Sequence, residues 1–253
     1  MNIRLSLRPP VIWGGIFSQF MLMLPNAIPY NIDKIHFDVD DGYKLTSENV
    51  FDWVFDQYYD SSFKDILCEH FGIYTHDNMK RGGYLGAIES SPNFGKMQTI
   101  CSKLIIKQPI RDKVAEYADQ IEPGMLGVHV RLGEMNTIHP QYGTATTETY
   151  IKRIKEIAPQ SIYLASDNEE SIKKIKEAID CKIVVIDGFE REEIENIQVD
   201  NVHMNLLYKD YYWQQVFADM LLLAKCERLL CRVSNFTNAA ILFSAPYKEI
   251  HRL

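Results

Sequence analysis

The second half of the chain alternates short apolar segments with amphipathic ones, and this alternation constrains the fold more than any other feature. Residues 126–132, 161–166 and 181–186 have the length and apolar content of buried strands. The intervening segments 150–157 and 172–178 carry apolar residues at helical spacing. Strict alternation of this kind predicts an α/β fold with a parallel sheet whose faces are covered by helices.

The first of these strands carries chemistry at its end. His129 and Arg131 lie two positions apart, so a strand presents both on one face, and Gly133 then ends the strand. Ligands of open α/β sheets bind outside the carboxyl ends of the strands. The planar, permanently charged guanidinium of Arg131 suits a phosphate there. An ordinary sheet strand whose arginine pairs with a surface carboxylate is the alternative.

The composition argues against several classes of protein. A chain of 253 residues with 46% hydrophobic content can form one large domain or two small ones. The net charge of −7 and the dispersed basic residues argue against a nucleic-acid partner. The five cysteines and seven histidines show no spacing typical of a disulfide framework or a zinc site. Residues 9–32 are uncharged but interrupted by Gly and Pro, so we expect no membrane span and a cytoplasmic location.

Two motifs in the first half offer further candidate sites. Gly14 and Gly15 stand between a strand-like and a helix-like segment, an order that suits either a phosphate cradle or a tight turn. Asp38 and Asp40 form a D-x-D triplet after an apolar strand. In one class of glycosyltransferase such carboxylates hold Mg²⁺ or Mn²⁺ against the diphosphate of a nucleotide sugar. The triplet also opens a polar turn, so both interpretations remain.

Three blocks follow one another between residues 126 and 240. They are HVR at 129–131, YLASDN at 163–168, and ADMLLLAKC at 218–226 leading into RVSNF at 232–236. In sequence and order they resemble the three motifs of the α1,6 and nodulation-factor fucosyltransferases, which are related to the α1,2 and protein O-fucosyltransferases. The segment that begins at Gly14 also resembles a degraded Gly-Gly-x-Gly-Asn-Gln motif of the α1,2 group.

The resemblance implies a GT-B arrangement, in which two Rossmann-like halves face each other across a cleft. We place the division at Pro123, with an acceptor half at 1–122 and a donor half at 123–253. The implied activity is an inverting transfer of L-fucose from GDP-fucose to a glycan hydroxyl. It also implies no metal and no other cofactor; the partners are a GDP-sugar donor and a glycan or glycoconjugate acceptor.

The resemblance assigns roles to single residues in the donor half. It implies that Arg131 holds the β-phosphate and that Asp167 shapes the site. It implies that His129 and Asp219 read the guanine and its surroundings, and an aspartate can accept two N–H bonds that guanine offers and adenine does not.

The remaining implied residues hold phosphate or act on the acceptor. Ser234 and Asn235 would bind phosphate in a turn at a helix N-terminus. An inverting transfer also needs a general base for the acceptor hydroxyl, and Glu134 is our first choice before His139 and Glu148.

The sequence departs from the resembled pattern beside Arg131. Leu132 stands where that pattern has a second arginine, and Glu134 replaces an aspartate. Two alternatives therefore stay open. One is a glycosyltransferase with another nucleotide-sugar donor, which could use a metal at Asp38 and Asp40. The other is a non-catalytic module that binds a nucleotide or a glycan.

Overall fold

The structure is a computed structural model that describes residues 2–7, 34–39, 55, 87–90, 94–132, 145–188, 191 and 210–253. The helices and strands of this part are, in chain order, β1 (Asn2–Leu7), β2 (Lys34–Val39), a short 3-10 helix (Ile88–Ser90), α1 (Phe94–Cys101), α2 (Gln108–Ala118), β3 (Leu126–Val130), α3 (Thr147–Ile157), β4 (Ser161–Ser166), α4 (Glu169–Ala178), β5 (Lys182–Val184), α5 (Asp210–Lys225), β6 (Arg228–Cys231), α6 (Asn235–Phe243) and β7 (Glu249–Arg252).

A sheet of five parallel strands lies at the centre of the described part, in the order β5-β4-β3-β6-β7. From β3 the chain moves outward through β4 to β5, and it then crosses back to add β6 and β7 on the other side. The direction of winding therefore reverses between β3 and β6. In open α/β sheets, the crevice at the carboxyl ends of the strands at such a reversal is where ligands bind.

Helices cover both faces of this sheet, which confirms the predicted α/β fold with a parallel sheet. On one face, Ile154 of α3 and Ile175 of α4 share an apolar cluster with Val128 of β3. On the other face, Phe217 of α5 shares a second cluster with Leu229 of β6, together with residues of α1, α2 and α6. Because both faces are buried, the strands carry continuous apolar runs.

Strand β3 and helix α5 approach closely at Gly127. A Cβ atom at this position would lie 2.8 Å from Leu223 Cδ1 and 3.2 Å from Cys226 Cβ. Only a residue without a side chain allows this contact without displacement of a neighbour. Asp219 lies four residues before Leu223, one helical turn nearer the start of α5.

Helix α2 packs on the same side of the sheet as α5. Its residues Ile110, Val114 and Tyr117 belong to the cluster that contains Phe217. The Tyr117 hydroxyl also accepts a hydrogen bond of 3.0 Å from the Asp187 backbone N–H. Helix α2 precedes the division predicted at Pro123, and it packs against residues that follow that division. The arrangement of two halves that face each other stays a prediction.

Strands β1 and β2 form a separate parallel pair, in which Asp38 lies opposite Ser6. Asp38 is therefore the fifth residue of β2 rather than the first residue after a strand, which corrects the position predicted for the D-x-D triplet. Asp40 lies outside the described residues. Among the helices that the structure describes, none is long and apolar enough to cross a membrane.

Candidate functional site

Charged side chains follow three neighbouring strands at the carboxyl edge of the sheet. Arg131 comes directly after β3, Asp167 after β4 and Arg232 after β6. Val130 pairs with Ser166 in the β3 and β4 ladder, so Arg131 and Asp167 occupy the next pair of positions. The candidate site is thus the edge where the winding of the sheet reverses.

Arg131 and Asp167 form an ion pair between Nη1 and Oδ2. Their side chains are 15% and 22% exposed, so the pair is partly screened from water. The Arg131 backbone N–H also donates to the hydroxyl of Tyr150 on α3, at 3.5 Å. The end of β3 is therefore held from two directions.

The turn that carries Asp167 is fixed by its own hydrogen bonds. The Ser166 hydroxyl donates to the Val130 carbonyl at 3.2 Å, and the Asn168 N–H donates to the Ser166 hydroxyl at 3.1 Å. Asn168 in turn caps α4, because its side-chain oxygen accepts from the Ser171 N–H at 2.7 Å. These bonds tie both sides of Asp167 to the sheet and to α4.

His129 is a buried, neutral imidazole. It is 6% exposed and stacks on Phe236 of α6, with ring centroids 4.5 Å apart and planes inclined by 25°. Burial and the positive charge of Arg131 lower the pKa of His129 to about 3. Its Nδ1 has no hydrogen-bond partner in the described part of the chain. Nδ1 is therefore a buried polar atom whose hydrogen bond is not made within the described residues.

The N-terminus of α6 opens at the same edge. Ser234 caps the helix: its hydroxyl accepts from the Thr237 N–H at 3.1 Å, and its own N–H donates to the Thr237 hydroxyl at 3.0 Å. The Thr237 hydroxyl also lies 3.0 Å from the Arg232 carbonyl, which joins the cap to the end of β6. Asn235 is the first helical residue, and its side chain lies outside the described part. Helix N-termini of this kind favour anions.

Asp219 lies deeper, between α5 and β4. It is 4% exposed, and it accepts a hydrogen bond from the Tyr163 hydroxyl. Burial raises the pKa of Asp219 to about 6, against the opposing effects of the Tyr163 hydrogen bond and the charge of Arg191. Burial and the Asp219 charge raise the pKa of Tyr163, which stays a neutral donor. At neutral pH the carboxylate is therefore ionised.

Two arginines that the sequence interpretation missed also lie at this edge. Arg191 donates from Nε to the Ser166 carbonyl at 3.1 Å and from Nη2 to the Ile186 carbonyl at 2.8 Å. Arg232 is 1% exposed and contributes to the electrostatic environment of Tyr150. The rule that identified Arg131, an arginine directly after a strand, would have identified Arg232 too. No strand or helix pattern pointed to Arg191.

Leu132 occupies an apolar environment. Its side chain is buried in the cluster that contains Tyr150 and Ile154 of α3. An arginine at this position would bury its charge among apolar side chains, which costs free energy, whereas leucine packs there without that cost.

The structure brings some of the predicted site residues together, places Asp219 apart from them, and does not describe the rest. Arg131 contacts Asp167, and His129 contacts the α6 helix that Ser234 caps. Asp219 lies under β4 with Tyr163. Outside the described residues are Gly14, Gly15 and Glu134. In the part that is described, no three His, Cys, Asp or Glu side chains lie close enough to hold a metal ion.

No protein-family model matches the sequence, and no curated protein matches it. Solved structures do match. The NodZ α1,6-fucosyltransferase soaked with GDP-fucose aligns with a TM-score of 0.57 at 12% identity, over 96% of this chain and 93% of that one. The fucosyltransferase NodZ from Bradyrhizobium gives 0.56 at 12% identity, over 96% and 94%. POFUT1 in complex with GDP gives 0.53 at 11% identity, over 99% and 98%. The chain therefore has the α/β fold of these fucosyltransferases, as its three sequence blocks predicted.

Proposed function

We propose that this protein is an inverting, metal-independent glycosyltransferase that transfers L-fucose from GDP-fucose to a glycan hydroxyl. Residues 1–122 and 123–253 would form the two halves of a GT-B enzyme, with the donor held by the second. The observation that carries the proposal is the carboxyl edge of β3 and β6, where Arg131, the neutral His129 and the start of α6 lie at the winding reversal. The shared fold supports it, since NodZ and POFUT1 structures were obtained with GDP-fucose or GDP.

The donor diphosphate is the group that this edge suits best. When the bond between fucose C1 and the β-phosphate oxygen breaks, negative charge develops on GDP. The guanidinium of Arg131 stabilises that charge through paired N–H bonds, the task that a metal ion performs in other transferases. The first N–H groups of α6, beside Ser234 and Asn235, add a second source of positive potential.

Guanine recognition is assigned to His129 and Asp219. The ionised Asp219 accepts the N1–H and N2–H of guanine with the lone pairs that Tyr163 does not use. The neutral His129 supplies one donor and one acceptor, and its ring is held by Phe236. Adenine lacks the paired donors, so the same carboxylate would reject it.

The transfer itself balances as a single displacement. The acceptor oxygen forms a bond to fucose C1 while the bond to the β-phosphate oxygen breaks, the acceptor proton passes to a base, and GDP leaves with the electron pair. Glu134 remains the proposed base. Glu148 suits the role less well, because hydrogen bonds from its own backbone and from Thr146 lower its pKa.

One observation favours a second candidate, a non-catalytic nucleotide- or glycan-binding module. Leu132 is buried in the core, so the charge that the resembled enzymes carry at that position is absent here. A donor other than GDP-fucose, held through a metal at Asp38 and Asp40, is the other alternative, and it stays a prediction.

Release of GDP from GDP-fucose separates the enzyme from the binding module. The purified chain is incubated with GDP-fucose, first in water alone and then with a panel of glycan acceptors, without added metal. We expect GDP release that one or more acceptors accelerate, with fucose attached in the inverted configuration. Saturable GDP binding without any release, in a panel that spans the common glycan termini, would contradict the enzymatic proposal.

A further inference from the structure

We propose that Asp167 is a positioning residue that holds the guanidinium of Arg131 in the orientation that receives the donor diphosphate. The inference rests on the proposed function and deepens it, because it gives Asp167 a role through Arg131 rather than through contact with the donor.

The contact follows from the register of the sheet. β3 and β4 are parallel, and Val130 is the partner of Ser166, so the next residues of the two strands lie side by side. Arg131 and Asp167 occupy those positions, and their side chains meet through Nη1 and Oδ2. Both side chains are partly buried, so the interaction is less screened by solvent than a surface ion pair.

Asp167 lies on a rigid support. The Ser166 hydroxyl bonds to the Val130 carbonyl, and the Arg191 Nε–H donates to the Ser166 carbonyl at 3.1 Å. On the other side, Asn168 caps α4 through the Ser171 N–H. The backbone on both sides of Asp167 is thus tied to β3, β4 and α4, and the short aspartate side chain has two rotatable bonds where the arginine it binds has four.

One carboxylate oxygen uses only part of the hydrogen-bonding capacity of a guanidinium. Arginine has five N–H donors in one rigid plane, so a contact that fixes Nη1 also fixes the direction in which the other donors point. Orienting the side chain in advance removes ordering that would otherwise weaken binding. Ordering one long side chain typically costs an interface a factor of about 3 to 10 in affinity.

The experiment measures what the β-phosphate adds to binding. We define the β-phosphate factor as Kd for GMP divided by Kd for GDP, measured by titration calorimetry. We compare Asp167→Asn with Asp167→Ala. Both variants remove the charge, but asparagine keeps a side-chain oxygen that can accept from Arg131 and alanine does not. We expect the factor of D167A to be about 3- to 10-fold smaller than that of D167N.

A second pair of variants tests whether the effect passes through Arg131. In an Arg131→Met background, the difference between D167N and D167A should disappear, because nothing remains to be oriented. Asp180→Ala is the matched control: Asp180 is exposed and lies before β5, at the amino edge of the sheet. We expect it to keep the wild-type factor. If D167A does not fold, Asp167→Ser replaces it, since serine is too short to reach the guanidinium.

The outcomes separate this inference from the proposed function. Equal factors for D167N and D167A in a protein with a large wild-type factor would overturn the positioning role and leave the donor site intact. A difference that persists without Arg131 would also overturn it. A wild-type factor near one, or no binding of GDP, would overturn the proposed function and this inference together.

Discussion

Replacement of Arg131 by lysine tests the proposed diphosphate site while the net charge stays the same. Arg131 contacts Asp167 through one nitrogen, and its donors lie in one rigid plane that matches the geometry of a phosphate in the proposed site. A lysine side chain donates from one nitrogen, whereas a guanidinium donates from three. The lysine can pair with Asp167 or approach the phosphate, and it cannot reproduce both contacts in the same geometry.

The expected size follows from the bonds that are lost. A hydrogen bond to a charged group contributes about 1.5 to 3 kcal/mol, so the loss of one phosphate bond corresponds to roughly 10- to 150-fold. The effect should be larger on turnover than on GDP binding, because the charge on the β-phosphate grows as the glycosidic bond breaks. We expect kcat/KM to fall by about 100-fold and the affinity for GDP by about 10-fold.

The assay is GDP release from GDP-fucose, combined with GDP titration of the same preparation. Arg228→Lys is the matched control, because Arg228 pairs with Glu249 at the amino end of β6, away from the candidate site. We expect the control to behave like the wild type in both measurements. Near-normal turnover of R131K, within about threefold, would remove Arg131 from the diphosphate role.

Three further changes test the fold and the buried charge. Gly127→Ala should lower the free energy of unfolding by about 1 to 3 kcal/mol, because the new Cβ would lie 2.8 Å from Leu223 Cδ1. Gly95→Ala is the control, since no atom lies within 4 Å of the new Cβ. Equal denaturant midpoints for the two variants would contradict the close approach of β3 and α5. Ala158→Gly should stabilise the protein by about 0.5 to 1 kcal/mol, since Ala158 ends α3 at φ 47°, and a loss of stability would argue against that backbone. The raised pKa of Asp219 makes the folded wild type bind more protons than the unfolded chain between about pH 4 and 6, so the wild type loses stability as pH rises through that window. Asp219→Asn lacks this loss and should gain about 3 kcal/mol relative to the wild type over the same window. A difference in denaturation that does not change with pH would contradict the burial of this charge.

The sequence predicted those elements whose apolar pattern is strong. Strands were predicted at 161–166 and 181–186; β4 spans Ser161–Ser166, and β5 spans Lys182–Val184 within the second range. β7 was not predicted, because its segment EIHR is mostly polar and forms an edge strand that is only half buried. Helix α1 was also missed, since Gly95 and the preceding Ser-Pro sequence indicated a loop.

The candidate site was partly accessible from the sequence. Arg131 could be identified from its place at the end of a strand, and Asp167 and Ser234 from the resemblance of the blocks that contain them. Their relative positions depend on the strand order, and the adjacency of Arg131 and Asp167 needs the register of β3 with β4. The buried state of Asp219 depends on the approach of α5 to the sheet, which no local pattern encodes.

Nucleotide selectivity distinguishes a metal-independent GDP site from a site for another nucleotide sugar. Thermal unfolding of the protein is measured with GDP, UDP, ADP and CMP, each with and without Mn²⁺. A nucleotide at about 100 times its dissociation constant stabilises the folded state by roughly 2.7 kcal/mol, which raises the Tm of a chain of this size by about 5 to 10 °C. We predict that GDP alone gives this shift and that Mn²⁺ is not needed; a shift with UDP that requires Mn²⁺ would contradict a metal-independent GDP site.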